Sequence, residues 1–226
     1  MTRKAKAKAR DERRQKAMEG FYFSHKNKKL VPTADTNFLI WSLPAIVTCP
    51  NATAHCKKDC YAVKAEKQYP DVLPSRRRNF EYSRRPEFAE MVGSYIRRKF
   101  RNQRKAKLVV RIHESGDFYN QAYADAWLAI AESCLNLHGI EFIAYTKSFR
   151  FFDGKALPKN FHLRASVWDD TKPEDLATIE RNGWPIYTAV DKFTDDDTFH
   201  QCRCEDCATC TECWAERFAM IACEIH

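Results

Sequence analysis

Residues 107–117 read Lys-Leu-Val-Val-Arg-Ile-His-Glu-Ser-Gly-Asp, an apolar stretch that ends in a polar turn. The β-branched residues near its start predict a buried strand over residues 107–113, and the four residues from Glu114 form the turn. Apolar side chains then recur at helical spacing between residues 123 and 134, which predicts a helix packed against that strand. A strand, a polar turn and a helix make up one repeating unit of an α/β fold.

The same alternation continues on both sides of this unit. Residues 140–145, 161–167 and 185–190 predict further strands, and residues 37–47 form an earlier extended segment that leads into Cys49. Strands that alternate with helices pair in parallel through right-handed crossovers. About four to six strands fit this length, too few for a complete barrel of ~250 residues. The sequence therefore predicts an α/β fold, either a partial (β/α) barrel or an open parallel sheet, with a Cys-rich C-terminal extension that binds a metal or a cluster.

Charge divides the chain into three parts. The net charge of +8 lies in residues 1–30, which hold 11 Lys and Arg against 3 Asp and Glu and predict a disordered basic tail. Residues 31–200 form the predicted α/β domain, and residues 201–226 form the Cys-rich extension. A second basic stretch, residues 76–107, has apolar positions at helical spacing and predicts helices with a basic outer face. Both basic segments could contact nucleic-acid phosphates, or they could simply be solvated.

Cysteines are concentrated at the C-terminus, where the last 25 residues hold six of the ten. Four of these six repeat as C-x2-C-x2-C-x2-C: Cys204, Cys207, Cys210 and Cys213. Thiolates at this spacing repel one another unless a cation lies between them. Neither a secretory signal nor an apolar run of membrane-spanning length occurs, so we expect a cytoplasmic protein without membrane contact. In a reducing compartment such cysteines serve as ligands for zinc or an iron–sulfur cluster more often than as disulfides.

A second cysteine group follows the first predicted strand, with Cys49, Cys56 and Cys60 spaced C-x6-C-x3-C. Three thiolates can hold a [4Fe–4S] cluster with one open iron, or zinc with a fourth partner such as His55. Cys134 lies on the apolar face of a predicted helix and is assigned to the core. The chain could therefore hold one or two clusters. The predicted metal ligands are Cys49, Cys56, Cys60, Cys202, Cys204, Cys207, Cys210, Cys213 and Cys223.

Polar residues follow several of the predicted strands. Because the carboxyl ends of parallel strands meet at one edge of the sheet, we expect these residues to share one site with the first cysteine group. His113 and Asp117 are candidates for general acid and base, and Lys147 is a candidate contact for an anion or cofactor. The predicted cofactor contacts are Ser115, Gly116, Asp117 and Thr146.

Four motifs together resemble a known family. They are Thr48-Cys49-Pro50 with Cys56-Lys-Lys-Asp-Cys60-Tyr61-Ala62, Arg111-Ile-His-Glu-Ser-Gly-Asp-Phe-Tyr119, Tyr145-Thr-Lys-Ser148 and the cysteine-rich tail. In this order, over residues 37–223, they resemble the phage "gene product 88" domain family. That resemblance implies a phage or prophage origin, and hence the host cytoplasm, without naming a reaction. A looser similarity, a three-cysteine loop with Ser115-Gly116-Asp117 after the next strand, is to radical S-adenosylmethionine enzymes, and it implies that cofactor and an electron donor.

Two hypotheses about function follow. The first is a phage-type metalloprotein with iron–sulfur clusters that carries out a redox or radical reaction at the carboxyl edge of the sheet. The alternative is a zinc-stapled protein without catalysis, which binds nucleic acid or a host component through its basic segments.

Overall fold

The computed structural model describes residues 20–193, 199–202, 207–213 and 219–224. Its framework is a seven-stranded sheet in which all neighbouring strands are parallel. The strands are β1 (Thr36–Trp41), β2 (Lys107–Ile112), β3 (Ile140–Thr146), β4 (Phe161–Val167), β5 (Ile186–Val190), β6 (His200–Gln201) and β7 (Met220–Glu224). The predicted α/β class with a parallel sheet is confirmed. The predicted number of strands was too low, because β6 and β7 lie in the Cys-rich part and carry little apolar pattern.

The helices predicted within residues 76–107 and 123–134 form at those positions. The described helices are α1 (Ala54–Lys58), α2 (Tyr61–Gln68), α3 (Val72–Ser83), α4 (Phe88–Asn102), α5 (Gln121–Glu132), α6 (Pro173–Asn182) and α7 (Cys207–Cys210), with a 3-10 turn at Phe149–Phe151. Residues 54–68 form two short helices, because α1 ends at Lys58 with Asp59 as its C-cap, and Cys60 begins α2 as its N-cap. The basic stretch of residues 76–107 does form helices, and α4 exposes Arg98 and Lys99.

Strand order sets the two faces of the sheet. The order is β1-β2-β3-β4-β5-β7-β6, so the first five strands are neighbours in chain order. Right-handed crossovers between consecutive parallel strands place the connecting helices on one face, and α3, α4, α5 and α6 all contribute to the main core there. The strand residues of this core alternate along each strand: Leu39 and Trp41, Leu108, Val110 and Ile112, Phe142 and Ala144, Leu163 and Ala165.

The opposite face of the sheet has a smaller apolar cluster. Phe38, Ile40, Val109 and Ile143 form it with Leu30, which precedes the sheet. This is the face that helices α3–α6 leave open. Residues 20–30 pack on both sides of the sheet, because Leu30 belongs to this cluster and Phe23 belongs to the main core. Of that segment, predicted within the basic tail, Phe23 is 3% and Leu30 is 2% exposed. Residues 1–19 lie outside the described residues, and for them the tail stays a prediction.

The turn after β2 packs against the loop after β1, which contains Cys49. Gly116 has φ of 84°, and an added Cβ would lie 2.6 Å from Leu43 Cβ and 2.6 Å from Thr48 Oγ1. The Ser115 hydroxyl donates to the Leu43 carbonyl at 2.9 Å, and the Ser115 carbonyl accepts from the Leu43 N–H at 2.8 Å. Only glycine permits this close approach, which fixes the loop after β1 against the end of β2.

Among the described residues, no helix combines the length and the apolar character needed to cross a bilayer.

Replacement of Gly116 by alanine tests how tightly this turn is packed. Gly116→Ala is expected to lower the free energy of unfolding by about 1–3 kcal/mol more than Gly183→Ala. Both glycines have positive φ, 84° and 63°, so both variants carry about 1–2 kcal/mol of backbone strain. A Cβ at Gly183, however, meets nothing within 4 Å. Denaturant titration of both variants and the wild type measures the difference, and equal losses would contradict this account of the turn.

Candidate metal and cofactor site

A cavity of about 500 Å³ opens where the parallel strands end. Its walls are the loops after β1 and β2, the open face of the sheet and the Cys-rich segment. The volume lies in the range of sites that bind cofactors and other small molecules. The residues that bring thiol or charge to its wall are Cys49, Cys56, Cys60, Cys202, Cys207, Cys213, Cys223, Lys28, Lys29, Asp59, Arg111, Glu114, Asp117, Lys147 and Glu224.

The mouth cysteines, Cys49, Cys56 and Cys60, come from the connection between β1 and α2. Cys49 lies in a turn and donates its N–H to the Ile46 carbonyl at 3.0 Å. The Cys56 N–H donates to the hydroxyl of Thr53, the N-cap of α1, at 3.2 Å. All three cysteines are partly buried, and all three line the cavity. The structure thus brings together the group that the sequence pattern joined.

Burial makes two of the mouth thiols hard to ionise. It raises the pKa of Cys49 to about 12, and the Asp117 carboxylate adds to that rise. Burial also raises the pKa of Cys56, although the positive charge of Lys147 opposes the rise. In the absence of a cation these two thiols are therefore protonated at neutral pH. Thiols that ionise only when a cation binds have the linkage expected of buried metal ligands.

Asp117 ties together the ends of three strands. Its Oδ1 accepts from the Phe118 N–H at 2.7 Å and from the Thr146 hydroxyl at 2.6 Å, while Oδ2 accepts from the Lys147 N–H at 2.9 Å. Its own N–H donates to the Thr48 carbonyl at 3.2 Å. Burial raises the pKa of the carboxyl, and these hydrogen bonds oppose that rise. Asp117 thus lines the cavity as an anchored acid with its acceptor positions largely used.

Lys147 is a buried cation at the wall of the cavity. Its Nζ donates to the carbonyl and the hydroxyl of Ser166, each at 2.9 Å, and lies 5.5 Å from the centre of the Trp168 ring. Burial lowers the pKa of Lys147 to about 8, against the opposing charges of Cys56 and Asp117. A lysine with this pKa is mostly charged at neutral pH but can release its proton, which suits a residue that binds an anion or moves a proton.

The remaining predicted site residues have structural contacts. The hydroxyl of Thr146 bonds to Asp117 and accepts from the Ser148 N–H at 2.8 Å, and Thr146 does not line the cavity. Ser115 and Gly116 line the cavity, but the Ser115 hydroxyl is used by the contact with the loop after β1. These residues hold the wall in place, and their direct contact with a cofactor stays a prediction.

His113 is directed into the main core although it also borders the cavity. Its Nε2 lies 2.8 Å from the Tyr123 hydroxyl, and its ring packs against that of Phe118 at 4.9 Å between centres. Burial, with the nearby charge of Arg111, lowers the pKa of His113 to about 3. The ring bonds to Tyr123 and not to Asp117, so the predicted acid and base do not form a hydrogen-bonded pair.

His55 points away from the mouth cysteines. Its Nδ1 lies 2.7 Å from Asp169 Oδ1 and its Nε2 lies 3.3 Å from Asp59 Oδ2. The hydrogen bond with Asp169 is the largest cause that raises the pKa of His55. His55 is absent from the lining of the cavity. With both ring nitrogens directed at carboxylates, it is not placed as the fourth zinc ligand that the sequence suggested.

A second cysteine group lines the open face of the sheet. The sheet-face cysteines, Cys202, Cys207, Cys213 and Cys223, are all part of the cavity wall, whereas Cys210 is not. Cys204 lies outside the described residues. Burial raises the pKa of Cys207 to about 11, with added effect from its neighbours Cys213 and Cys202. The tail cysteines that lie together are therefore not the four of the regular sequence repeat.

Two arginines that sequence analysis missed lie beside this second group. The Arg111 guanidinium is 4.8 Å from the centre of the Tyr145 ring and lines the cavity. Arg164 is fully buried, and its Nε donates to the Cys213 carbonyl at 2.6 Å. Both residues alternate with core residues of β2 and β4, so they lie on the face opposite the helices. A charged residue in the middle of an apolar strand is the signal that could have identified them.

The nine cysteines of the described chain are all free thiols. Within the same residues, no three His, Cys, Asp or Glu side chains converge closely enough to hold a single metal ion. The mouth and sheet-face cysteines thus share a cavity without meeting at one point. Their role as metal ligands stays a prediction.

Comparison with known proteins assigns the chain to a family. A family model described as "Gene product 88" matches residues 2–216. The "Gene 88 protein" of Mycobacterium phage D29 is 33% identical over 107 residues, and that of Mycobacterium phage L5 is 35% identical over 107 residues. Each alignment covers 44% of this chain and 42% or 43% of the phage protein, less than half of either relative. No solved structure matches. The family resemblance is confirmed, whereas the similarity to radical S-adenosylmethionine enzymes finds no support in these comparisons.

The buried state of His113 predicts how stability depends on pH. Its folded pKa of about 3 lies below the ordinary value of 6.5. Between these values the unfolded chain binds a proton that the folded chain does not, so the free energy of unfolding falls as the pH falls. From pH 6.5 to 4.5 the loss from this group is about 2–3 kcal/mol.

Denaturant titrations across that pH range test this prediction. His113→Gln should remove most of the decrease in the free energy of unfolding between pH 6.5 and 4.5. His138→Gln, at an exposed histidine, should leave that decrease unchanged. The assignment fails if His113→Gln keeps the slope of the wild type.

Proposed function

Since the chain belongs to the gene product 88 family, whose phage relatives carry no named activity in their descriptions, we propose its function from the site itself. The protein is proposed to be an iron–sulfur redox enzyme in which the mouth cysteines hold a [4Fe–4S] cluster. The single observation that carries this proposal is that Cys49, Cys56 and Cys60 line one cavity together with the buried Asp117 and Lys147.

The donor set fits a cluster better than a single ion. Zinc in a structural site takes four ligands around one point, whereas the described residues offer no such convergence. A cluster of four irons is larger than one ion, so the thiolates that bind it lie farther from one another than those around a single ion. His55, the nearest candidate for a fourth zinc ligand, is held by Asp169 and Asp59. Three thiols from one loop match the ligands of a cluster that keeps one iron open.

When bound, such a cluster would supply one-electron transfer and one iron that accepts an external ligand. The chain itself would supply the enclosure. Thiols, Trp168 and Tyr61 form part of the wall, so a ligand that enters loses part of its contact with bulk water. A drier site strengthens its contacts with charged groups.

The charges of the cavity indicate which ligand would bind. Arg111 and Lys147 offer positive charge, and Glu114 and Asp117 offer negative charge, on one wall of the same cavity. A small molecule that carries both a carboxylate and an amino group would find partners of both signs. S-adenosylmethionine, which the loop similarity implies, has these two groups and is the ligand that we propose.

The proposal also requires an electron donor as a partner. Val47 is 75% exposed and Ile46 is 40% exposed, next to Cys49 in the chain. An exposed apolar patch beside the proposed redox centre suits a transient partner, because a small apolar interface gives a weak complex that dissociates readily.

Anaerobic reconstitution of the full chain with ferrous iron and sulfide tests the proposal. We expect a brown protein that absorbs near ~400 nm, as thiolate-bound clusters do. A variant with Cys49→Ser, Cys56→Ser and Cys60→Ser should lose about four irons per chain. Cys134→Ser, at a buried core cysteine, is the matched control and should keep them.

Addition of S-adenosylmethionine extends the same experiment. The paramagnetic spectrum of the reduced wild type should change on addition, and that of the triple variant should not. A colourless protein that contains only zinc would overturn the proposal. That outcome would favour the alternative, a nucleic-acid-binding protein whose cysteines hold structural zinc. The salt dependence of DNA and RNA binding would then be the next measurement.

A further inference from the structure

The open face of the sheet carries a second group of thiols, separate from the mouth. We propose that Cys202, Cys207, Cys213 and Cys223 together bind a second iron–sulfur cluster and that Cys210 is not one of its ligands. This inference goes beyond the proposed function, because none of the mouth cysteines takes part in it. It also differs from the regular repeat in the sequence, which would join Cys210 to its neighbours.

Strand pairing brings the first two ligands together. In the parallel ladder of β6 and β7, His200 pairs with Ile221 and Gln201 pairs with Ala222. The next step of that register places Cys202 beside Cys223, and the Cys202 N–H donates to the Ala222 carbonyl at 2.6 Å. Residues at the same register position of paired strands present their side chains on the same face. These two thiols, far apart in sequence, are therefore neighbours on the open face.

The other two ligands are fixed by contacts with the rest of the domain. The Cys207 N–H donates to the Lys29 carbonyl at 2.9 Å, which ties the start of α7 to the segment before β1. The Cys213 carbonyl accepts from Arg164 Nε at 2.6 Å, and the adjacent Glu212 carbonyl accepts from Arg164 Nη2 at 3.0 Å. Arg164, which is fully buried in β4, thus anchors the loop that presents Cys213.

The surroundings of this group suit a charged cluster. The Tyr145 hydroxyl lies near enough to Cys213 to oppose the rise in the pKa of its thiol, and the Tyr187 hydroxyl has the same effect on Cys223. The two tyrosine rings lie 5.0 Å apart in edge-on contact on the sheet. Arg111, against Tyr145, adds a positive charge to the same wall. Hydrogen bonds and cations around the sulfurs are the partners that orient thiolate ligands and tune a cluster.

Cys210 differs from the four sheet-face cysteines in its position, and this difference makes the proposal testable. It ends α7, three residues after Cys207, and does not line the cavity. Thr211 follows with φ of 55°, so the chain changes direction between Cys210 and Cys213. Sequence spacing groups Cys210 with Cys207 and Cys213, whereas the fold replaces it with Cys202 and Cys223.

The test compares two variants of the full chain after anaerobic reconstitution with ferrous iron and sulfide. The wild type should hold about eight irons per chain, the double variant Cys202→Ser with Cys223→Ser about four, and Cys210→Ser about eight. If the regular repeat is the site instead, the result reverses: Cys210→Ser loses about four irons and the double variant keeps them. Circular dichroism checks that the double variant is folded. Should it fail to fold, Cys210→Ser still decides between the two groupings.

A variant without the mouth cysteines separates this inference from the proposed function. With Cys49→Ser, Cys56→Ser and Cys60→Ser, the sheet-face cysteines should retain about four irons per chain. A wild type that holds only about four irons, unchanged in this triple variant, would refute the mouth cluster and leave the sheet-face cluster standing. A triple variant that binds zinc and no iron would overturn the sheet-face cluster.

Discussion

The site depends on one constraint, the consecutive parallel order of the first five strands. Because each crossover returns to the adjacent strand with the same hand, the connecting helices accumulate on one face, and their side chains complete the main core. The other face carries none of the crossover helices α3–α6 and has to be covered by segments from either end of the domain. Residues 27–30 and the described part of the Cys-rich segment cover it, and the cavity lies between that cover and the sheet. Thiols and charged residues can therefore gather inside a fold of only 226 residues.

Much of this arrangement could be predicted from sequence. The apolar residues of β2 and the helical spacing of α4 and α5 predict elements that form where expected, since long periodic segments specify their own secondary structure. The rule that parallel strands end at one edge placed Asp117 and Lys147 near the mouth cysteines, and both line the cavity with them. Gly116 in the turn is explained by the space that Leu43 and Thr48 leave.

The details that the sequence left open depend on contacts between distant segments. Spacing alone grouped Cys207 with Cys210, but the ladder of β6 and β7 joins Cys202 to Cys223 instead, and such short strands carry too little pattern to be predicted. The burial of Phe23 could not be read from a basic segment, because Phe23 packs against Trp41 of β1 and Tyr95 of α4, which are distant in sequence. The hydrogen-bond partners of His113 and His55 could not be predicted either, because they also depend on tertiary packing. A histidine after a strand or beside a cysteine suggests chemistry, whereas tertiary packing decides which group it meets.

The central claim is that one cavity holds two clusters, of which only the cluster at the mouth has an open iron. A Mössbauer spectrum of the full chain, reconstituted anaerobically with iron-57, tests this most directly. It should contain two components of about four irons each. Addition of S-adenosylmethionine should then shift about one iron in eight, from the mouth component alone. A single component, or a spectrum in which no iron responds to the ligand, would contradict the account.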